Sequence, residues 1–306
     1  MNNFLLSIVV PVYNEEEVVR SCYNVVDKVM RYDSIRYEII FVNDGSVDRS
    51  WEEIFKLSQT YNNVRGFSFS RNFGKEAAII AGLEYAKGDC VIVMDCDLQH
   101  PPEYIPQMVS LWEQGVEVVQ GIKNKRQKET IISKISAKAF YKLLEKISGM
   151  DLENSSDFQL LDRSVVDELK KMPERNMFFR ALSTWVGYRR EPIYFEVAER
   201  FSGKTKFNGM KLIKLAIDSL VSFSGKPLQL ITCVGFLFLI ISVVLSVQTM
   251  VVKLIGRSES GFPTVIILLL AIGSMLMISQ GLIGVYIEKI YEELKSRPRY
   301  LISKKT

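Results

Sequence analysis

The chain has 306 residues, enough for one large domain or two smaller ones, and a formal net charge of +4 at pH 7. The charge is uneven: residues 123–148 carry a net +6 and residues 200–226 a net +5, which favours anionic lipid, nucleic acid or phosphorylated ligands. The four cysteines have no paired spacing, which argues against a disulfide framework or a CxxC metal site and fits a reducing compartment.

The first 120 residues alternate strand-like apolar runs with amphipathic helical segments. The predicted strands cover residues 5–12, 37–42, 64–70, 90–94 and 116–120. The predicted helices cover about residues 15–31, 50–61, 75–86 and 102–114. This alternation predicts an α/β fold with a mostly parallel sheet covered by helices on both faces. In such sheets ligands bind beyond the carboxyl ends of the strands.

Polar motifs follow four of these strands, and the last of them, Asp95-Cys96-Asp97, places two carboxylates one residue apart. Like charges this close repel unless a cation or strong donors lie between them. Mg²⁺ and Mn²⁺ prefer oxygen ligands and often carry a substrate phosphate, so a divalent metal is one interpretation. The alternative is that one aspartate caps the next helix and the other is solvated. No GxGxxG or GxxxxGK[ST] motif occurs, so neither a dinucleotide fingerprint nor a P-loop is predicted.

Two basic amphipathic segments follow the predicted sheet region. Within residues 131–148, lysines recur every four residues, at Lys134, Lys138, Lys142 and Lys146, opposite an apolar side. Residues 206–226 form a second such segment. Together they predict a platform for anionic headgroups and a lipid phosphate at a membrane surface. A solvated helix face is the alternative.

The C-terminal third contains two uncharged apolar runs, residues 228–252 and 263–287. Each is long enough to cross a hydrocarbon core of about 30 Å. They predict a transmembrane hairpin over residues 227–288, with the N-terminal domain and a tail, residues 289–306, on the same side. Flanking lysines and arginines indicate that this side is cytoplasmic, as in a multi-pass protein of an inner or plasma membrane. A transporter is disfavoured, because the runs carry no internal charge and no inverted repeat.

The motifs SIVVPVYNEEE, FVNDGSVD, RNFGKEAAIIAGLEYAKGD and VMDCDLQHPPE, in this order, resemble the GT-A glycosyltransferases of family 2. The later motifs SSDFQLLDR, FFRALSTWVGY and RFSGKTKF are similar to the polyprenyl-phosphate branch, which includes dolichyl-phosphate mannose synthases and bactoprenol glucosyltransferases. Cys96 departs from the alanine usual between the two aspartates, and Lys204 stands where an acidic residue is common.

The resemblance implies a GT-A catalytic domain over residues 1–205 and an inverting sugar transfer to undecaprenyl phosphate. The donor is expected to be UDP-glucose, with UDP-N-acetylglucosamine and GDP-mannose as alternatives. A polysaccharide synthase is less favoured because no QxxRW motif occurs, and a non-catalytic scaffold would be indicated by a broken Asp-x-Asp or a missing Arg200. Anionic membrane lipids are expected partners, nucleic acid is not, and a homo-oligomer is left open.

The resemblance also implies roles for individual residues. Asp95, Asp97 and Gln99 would hold Mg²⁺ or Mn²⁺ against the donor diphosphate, where the metal assists the leaving group. The expected nucleotide-sugar residues are Pro11, Tyr13, Glu15, Asp44, Lys75 and Asp95. The expected phosphate and lipid-acceptor residues are Lys134, Lys138, Arg200 and Lys206. Arg200 is also counted, with Asp97 and Asp157, among the catalytic residues.

Asp157 matches the candidate base of the family and is interpreted as a base or an orienting carboxylate. The alternative is a strand-edge aspartate paired with Arg163 or another arginine. His100, the only histidine, is expected beside the metal motif but not as a ligand.

Overall fold

The computed structural model describes residues 4–123, 155–172, 178–196, 226–255 and 261–306. The chain divides into two compact units. The first comprises Met1–Phe207 and Arg297–Thr306, and the second comprises Asn208–Ser296.

The first unit alternates strands and helices through most of its length. In chain order its described elements are β1 (Leu6–Val12), α1 (Val19–Tyr32), β2 (Tyr37–Asn43), α2 (Ser50–Thr60), β3 (Val64–Phe69), α3 (Lys75–Tyr85), β4 (Cys90–Val93), the 3-10 turn Pro102–Tyr104, α4 (Ile105–Glu113), β5 (Val118–Lys123), β6 (Ser155–Asp162), α5 (Arg163–Lys171), α6 (Phe179–Trp185), β7 (Arg190–Phe195) and β8 (Ile302–Lys305). All five predicted strands and four predicted helices are present, with ends shifted by a few residues.

One eight-stranded sheet joins these strands in the order β7-β5-β6-β4-β1-β2-β3-β8. Strand β1 pairs in parallel with β2 and β4, and β2 pairs in parallel with β3. Strand β6 is antiparallel to both of its neighbours, β4 and β5, while β5 and β7 are parallel. The mostly parallel α/β fold predicted from the sequence is therefore confirmed.

The central strands are buried on both faces, as parallel strands covered by helices are. Val9 on β1 is fully buried, and α3 crosses it at Gly82. A Cβ at residue 82 would lie 2.1 Å from Cγ1 of Val9, so only glycine permits this approach. The close packing fixes α3 against β1, and its first residue, Lys75, lines a cavity together with the residues that end β1.

The C-terminal residues form strand β8, which the sequence does not predict within the expected tail 289–306. It pairs antiparallel with β3, and Thr306 continues the contact through hydrogen bonds of 2.8 and 3.0 Å with the backbone of Gly66. Tyr300 stacks on Phe69 with ring centroids 4.9 Å apart and donates a hydrogen bond to Glu84. The last residues of the chain are thus an integral edge of the sheet.

The second unit contains two long helices, α7 (Lys226–Leu254) and α8 (Phe262–Leu294). Within the ranges given above, one segment, Ala271–Leu294, is long and apolar enough to cross a membrane by length and composition. The predicted two-span hairpin and multi-pass placement are therefore not confirmed. Helix α8 also continues past the predicted end at residue 287, because its last turns exchange apolar for charged side chains without a helix-breaking residue.

Candidate active site

The carboxyl ends of β1, β2 and β4 meet around a cavity of about 200 Å³. Its lining residues come from three loops and the start of α3; they are Pro11, Val12, Tyr13, Glu15, Asp44, Lys75, Asp95, Cys96 and Asp97. All six residues expected at the nucleotide sugar are among them. The structure thus brings together side chains that are spread over more than 80 positions of the sequence.

The Asp-x-Asp segment is a tight loop held by its own backbone. The N–H of Gln99 donates to Oδ1 of Asp97 at 3.0 Å, and Leu98 between them has a φ of 59°. The side chain of Cys96 is buried and contacts that of Cys22 on α1. A small side chain fits here, and the two carboxylates are left to line the cavity. The side chain of Gln99 is not part of that lining.

His100 holds this loop from the protein interior. Its Nδ1 accepts a hydrogen bond of 3.0 Å from the N–H of Asp95, and its ring stacks on Phe158 at a centroid distance of 5.3 Å. Burial lowers the pKa of His100 to about 4, so the imidazole is neutral at pH 7. Because Nδ1 is an acceptor, the proton lies on Nε2, which is buried and has no partner among the described residues. His100 therefore positions the backbone of Asp95.

Asp157 on β6 is the centre of an ion-pair network. Nζ of Lys75 lies 2.6 Å from its Oδ2, while Nε and Nη2 of Arg180 lie 2.6 and 3.0 Å from Oδ1 and Oδ2. Burial alone would raise the pKa of Asp157, but Lys75 and Arg180 outweigh burial and hold that pKa well below its usual range. The arginine that pairs with Asp157 is thus Arg180; Arg163 donates to the carbonyl of Gly88 instead.

Lys75 links this network to the metal motif, because its Nζ also lies 2.5 Å from Oδ1 of Asp95. Burial opposes the charged form of Lys75, yet the two carboxylates more than compensate and raise its pKa. Burial alone would raise the pKa of Asp95, but the same ammonium outweighs burial and lowers that pKa. Both aspartates are therefore ionised at neutral pH.

Three residues that sequence reasoning missed complete the cluster. Glu76 accepts a hydrogen bond of 2.9 Å from the N–H of Phe179 and so ties the first turn of α6, which carries Arg180, to α3. Burial and then the charge of Asp157 raise the pKa of Glu76 to about 7. Burial, and then the charge of Arg180, lower the pKa of Lys123 at the end of β5. The only sequence signal for Arg180 was its position in FFRALSTWVGY.

Asp44 holds the loop between β3 and α3. Its carboxylate accepts hydrogen bonds from the N–H groups of Phe73, at 2.7 Å, and Gly74, at 3.0 and 3.2 Å. Burial raises the pKa of Asp44, and these backbone donors partly offset that effect. Gly45 has a φ of 65°, and a Cβ there would lie 2.3 Å from the carbonyl carbon of Arg71, so the turn at the end of β2 packs directly on this loop.

The expected acceptor residues Lys134, Lys138, Arg200 and Lys206 lie outside the described residues, as do the amphipathic segment 131–148 and nearly all of 206–226. In the ranges that are described, no group of three or more His, Cys, Asp and Glu side chains is arranged to hold a metal ion. The Asp95 and Asp97 carboxylates still fit a hard cation that takes its remaining ligands from phosphate and water. A cation, the ammonium of Lys75, already contacts Asp95.

Comparisons with known proteins agree on the class of enzyme. The family model described as glycosyl transferase family 2 matches residues 7–170. A prophage bactoprenol glucosyl transferase homolog of Escherichia coli is 38% identical over 301 residues, covering 98% of both chains. The prophage-derived bactoprenol glucosyl transferase of Shigella flexneri is 39% identical, covering 98% of this chain and 97% of that one.

Similarity to a solved structure supports the fold. Glucosyl-3-phosphoglycerate synthase of Mycobacterium tuberculosis, in complex with Mn²⁺, UDP and glucosyl-3-phosphoglycerate, superposes with a TM-score of 0.54 at 18% identity, covering 73% of this chain and 81% of that one. The family match spans more than half of the chain, and the bacterial relatives align over nearly all of it. The chain therefore belongs to glycosyltransferase family 2 and is a glycosyltransferase with a GT-A-like fold.

Proposed function

We propose that this glycosyltransferase transfers a sugar, with glucose as the first choice, from a UDP-sugar to undecaprenyl phosphate with inversion of configuration. UDP-N-acetylglucosamine and GDP-mannose are the alternative donors. The observation that carries the proposal is the arrangement of charges at the sheet edge. The aspartates suited to a metal and diphosphate stand on one side of Lys75, and Asp157 and Arg180 stand on the other. The names of the nearly full-length bacterial relatives support the lipid acceptor.

The donor would occupy the cavity formed by the ends of β1, β2 and β4. Asp95 and Asp97, with Gln99, would hold Mg²⁺ or Mn²⁺, and the bound metal would neutralise charge on the departing diphosphate. Pro11, Tyr13, Glu15 and Asp44 line the part of the cavity assigned to the nucleoside. Asp44 also fixes the loop that leads into Lys75, so it shapes the pocket as well as lining it.

The acceptor would need positioning more than deprotonation. An oxygen of a phosphate monoester is already a nucleophile at pH 7, and in the reaction it bonds to the anomeric carbon while the bond from that carbon to the diphosphate breaks. Asp157 has a pKa far below neutrality and holds Lys75 and Arg180 by hydrogen bonds, which favours the orienting role over that of a base. Its contribution is to keep two cations in place.

At the end of β5, Lys123 lies close enough to Arg180 for the two positive charges to repel each other. The pKa of Lys123 is lowered by burial and by the neighbouring charge of Arg180, so an anion placed between these side chains would relieve their repulsion. The phosphate of the lipid is the proposed anion. Lys134, Lys138, Arg200 and Lys206 are proposed as further contacts, and anionic lipids as partners of the two basic segments.

Membrane placement is part of the proposal. Helices α7 and α8 would form a hairpin that leaves the catalytic domain and both termini in the cytoplasm, with residues 253–262 outside. Support comes from the apolar segment Ala271–Leu294 and from the water-insoluble lipid named for the relatives.

A comparison of the two substrates tests this assignment. Lys123→Gln is expected to raise the apparent KM for undecaprenyl phosphate about tenfold or more and the KM for UDP-glucose by less than about twofold, since one charged hydrogen bond is lost on the acceptor side only. Lys56→Gln, a surface lysine paired with Glu53 on α2, is the control. A rise confined to the KM for UDP-glucose would contradict the acceptor assignment.

A further inference from the structure

Lys75 contacts a carboxylate that a divalent metal would also bind. Its Nζ lies 2.5 Å from Oδ1 of Asp95 and 2.6 Å from Oδ2 of Asp157, so one ammonium bridges a carboxylate of the metal motif and a carboxylate of the sheet. The side chain is 41% exposed, while those of Asp95 and Asp157 are 27% and 3% exposed. It therefore lies at the cavity surface and has room to move.

The two contacts of Lys75 are unequal. Asp157 also receives two hydrogen bonds from Arg180, so its charge is compensated even without the lysine. Within 4 Å of the Asp95 carboxylate, the described residues place one other basic side chain, His100, whose Nδ1 lies 3.9 Å from Oδ2. This Nδ1 accepts a hydrogen bond from the N–H of Asp95, so it has no proton to offer the carboxylate. The contact with Asp95 is thus the one that can break while Lys75 stays attached to the protein by Asp157.

A divalent cation coordinated by Asp95 would lie close to the ammonium of Lys75. At such short range the two positive charges would repel each other. A lysine side chain has a flexible four-carbon stem and can change its contact without any change in the backbone. Lys75 also lines the same cavity as Asp97, Glu15 and Tyr13, so a donor diphosphate bound there would offer it a new anionic partner.

We propose that Lys75 is an exchangeable counter-cation, which neutralises Asp95 in the metal-free enzyme and swings from Asp95 to the donor diphosphate when the metal binds. The inference rests on the donor site of the proposed function. Lys75 would then couple the two ligands. Its ammonium lowers the affinity for the metal when the metal binds alone, and this effect disappears when the donor diphosphate takes up the ammonium. Binding of metal and nucleotide should then be mutually reinforcing, because such coupling is reciprocal.

The test is Mn²⁺ binding to the full-length protein in detergent, followed by the electron paramagnetic resonance signal of free Mn²⁺, with and without UDP. Lys75→Met should bind Mn²⁺ alone about tenfold more tightly than the wild type, and UDP should then enhance Mn²⁺ binding less than it does in the wild type. Lys75→Arg should bind Mn²⁺ alone several-fold more weakly, because the guanidinium fork can hold both carboxylates. Lys56→Met is the matched control, since Lys56 forms an ion pair of 2.6 Å with Glu53 outside the site.

Unchanged or weaker Mn²⁺ binding by Lys75→Met, in a protein whose thermal unfolding matches that of the wild type, would overturn the exchange. If Lys75→Met is unfolded, the arginine variant decides: equal or tighter binding than the wild type overturns the proposal, and weaker binding supports it. If the wild type binds both Mn²⁺ and UDP, but Lys75→Met and Lys75→Arg do not change Mn²⁺ affinity in opposite directions, only the exchange is refuted. A wild type that binds neither ligand refutes the donor site itself.

Discussion

Replacing Asp157 with asparagine separates an orienting carboxylate from a catalytic base. The side chain keeps its size, but the charge that holds Lys75 and Arg180 is lost. Removing one partner of a buried ion pair costs about 3–5 kcal/mol, because the other charge is left uncompensated. Asp157 is 3% exposed, whereas Arg180 and Lys75 are 28% and 41% exposed and can be partly rehydrated. We therefore expect a loss of about 2–3 kcal/mol in the free energy of unfolding.

The ionisation of Asp157 determines how its contribution to stability depends on pH. The folded pKa of Asp157 lies below the value of about 3.9 for an unfolded chain, so its contribution is complete above about pH 4 and is lost only as the pH falls through the folded pKa. Asp157 itself therefore adds no pH dependence between pH 6 and pH 9. Because its charge also raises the pKa of Glu76, which burial and that charge bring to about 7, the destabilisation by Asp157→Asn should be somewhat smaller at pH 9 than at pH 6. The loss of kcat should show no step from the titration of Asp157 over that range, whereas removal of a base that titrates there would change the profile.

Thermal unfolding and transfer rates of the wild type, Asp157→Asn and Asp157→Asn/Arg180→Gln provide the assay. The single variant should unfold about 5–10 °C lower, and the double variant should recover part of that loss because no unpaired guanidinium remains. Asp167→Asn is the control, since Asp167 is a half-exposed carboxylate paired with Lys170 on α5. An unchanged unfolding temperature together with lost activity would refute the orienting role and would support Asp157 as a catalytic base.

Four further outcomes are expected. Asp97→Asn should abolish turnover without unfolding the protein, because the amide oxygen can still accept the hydrogen bond from the N–H of Gln99. Full activity of the wild type in EDTA would contradict the requirement for a metal. Between pH 7 and pH 5, His100 should lower the free energy of unfolding by about 2 kcal/mol, because its folded pKa of about 4 lies below its ordinary 6.5. Glu76, whose folded pKa of about 7 lies above its ordinary 4.5, acts in the opposite direction, so the test is the difference between two proteins. From pH 7 to pH 5 the stability of His100→Gln should rise by about 2 kcal/mol relative to the wild type, and equal slopes would contradict a buried neutral His100. Deleting residues 301–306 should lower the unfolding temperature by several degrees because β3 loses its partner strand, whereas Lys304→Ala should not. In a Cys233→Ser background, Ser258→Cys should be labelled from outside the cell and Asp33→Cys should not, and the opposite pattern would overturn the proposed topology.

The order of strands and helices in the first 120 residues was predictable because local hydrophobic periodicity indicates the type of each element. So was the gathering of polar motifs at one edge, which follows from parallel strands sharing a direction. The start of α1 was misplaced by four residues. Glu16 accepts a hydrogen bond from the N–H of Arg49, and its own N–H donates to Asp48, so the acidic residues serve a loop contact in place of the first helical turn.

The contacts that define the site's electrostatics could not be predicted from local pattern. Lys75 and Asp157 are 82 positions apart, and Glu76 and Phe179 are 103 apart. Their pairing depends on β6 inserting antiparallel between β4 and β5, which no local period encodes. Strand β8 was missed for a related reason: the segment ISKK is short and polar, and only the free edge of β3 selects it as a strand.

Sugar transfer to the lipid is the decisive measurement for the proposed reaction. Purified protein would be incubated with Mg²⁺ or Mn²⁺, undecaprenyl phosphate and, in parallel, labelled UDP-glucose, UDP-N-acetylglucosamine and GDP-mannose, with Asp97→Asn as the inactive control. We expect a labelled lipid of inverted anomeric configuration, formed fastest from UDP-glucose and absent with Asp97→Asn. A wild type that binds the nucleotide sugars yet labels no polyprenyl phosphate with any of them would contradict the proposed reaction.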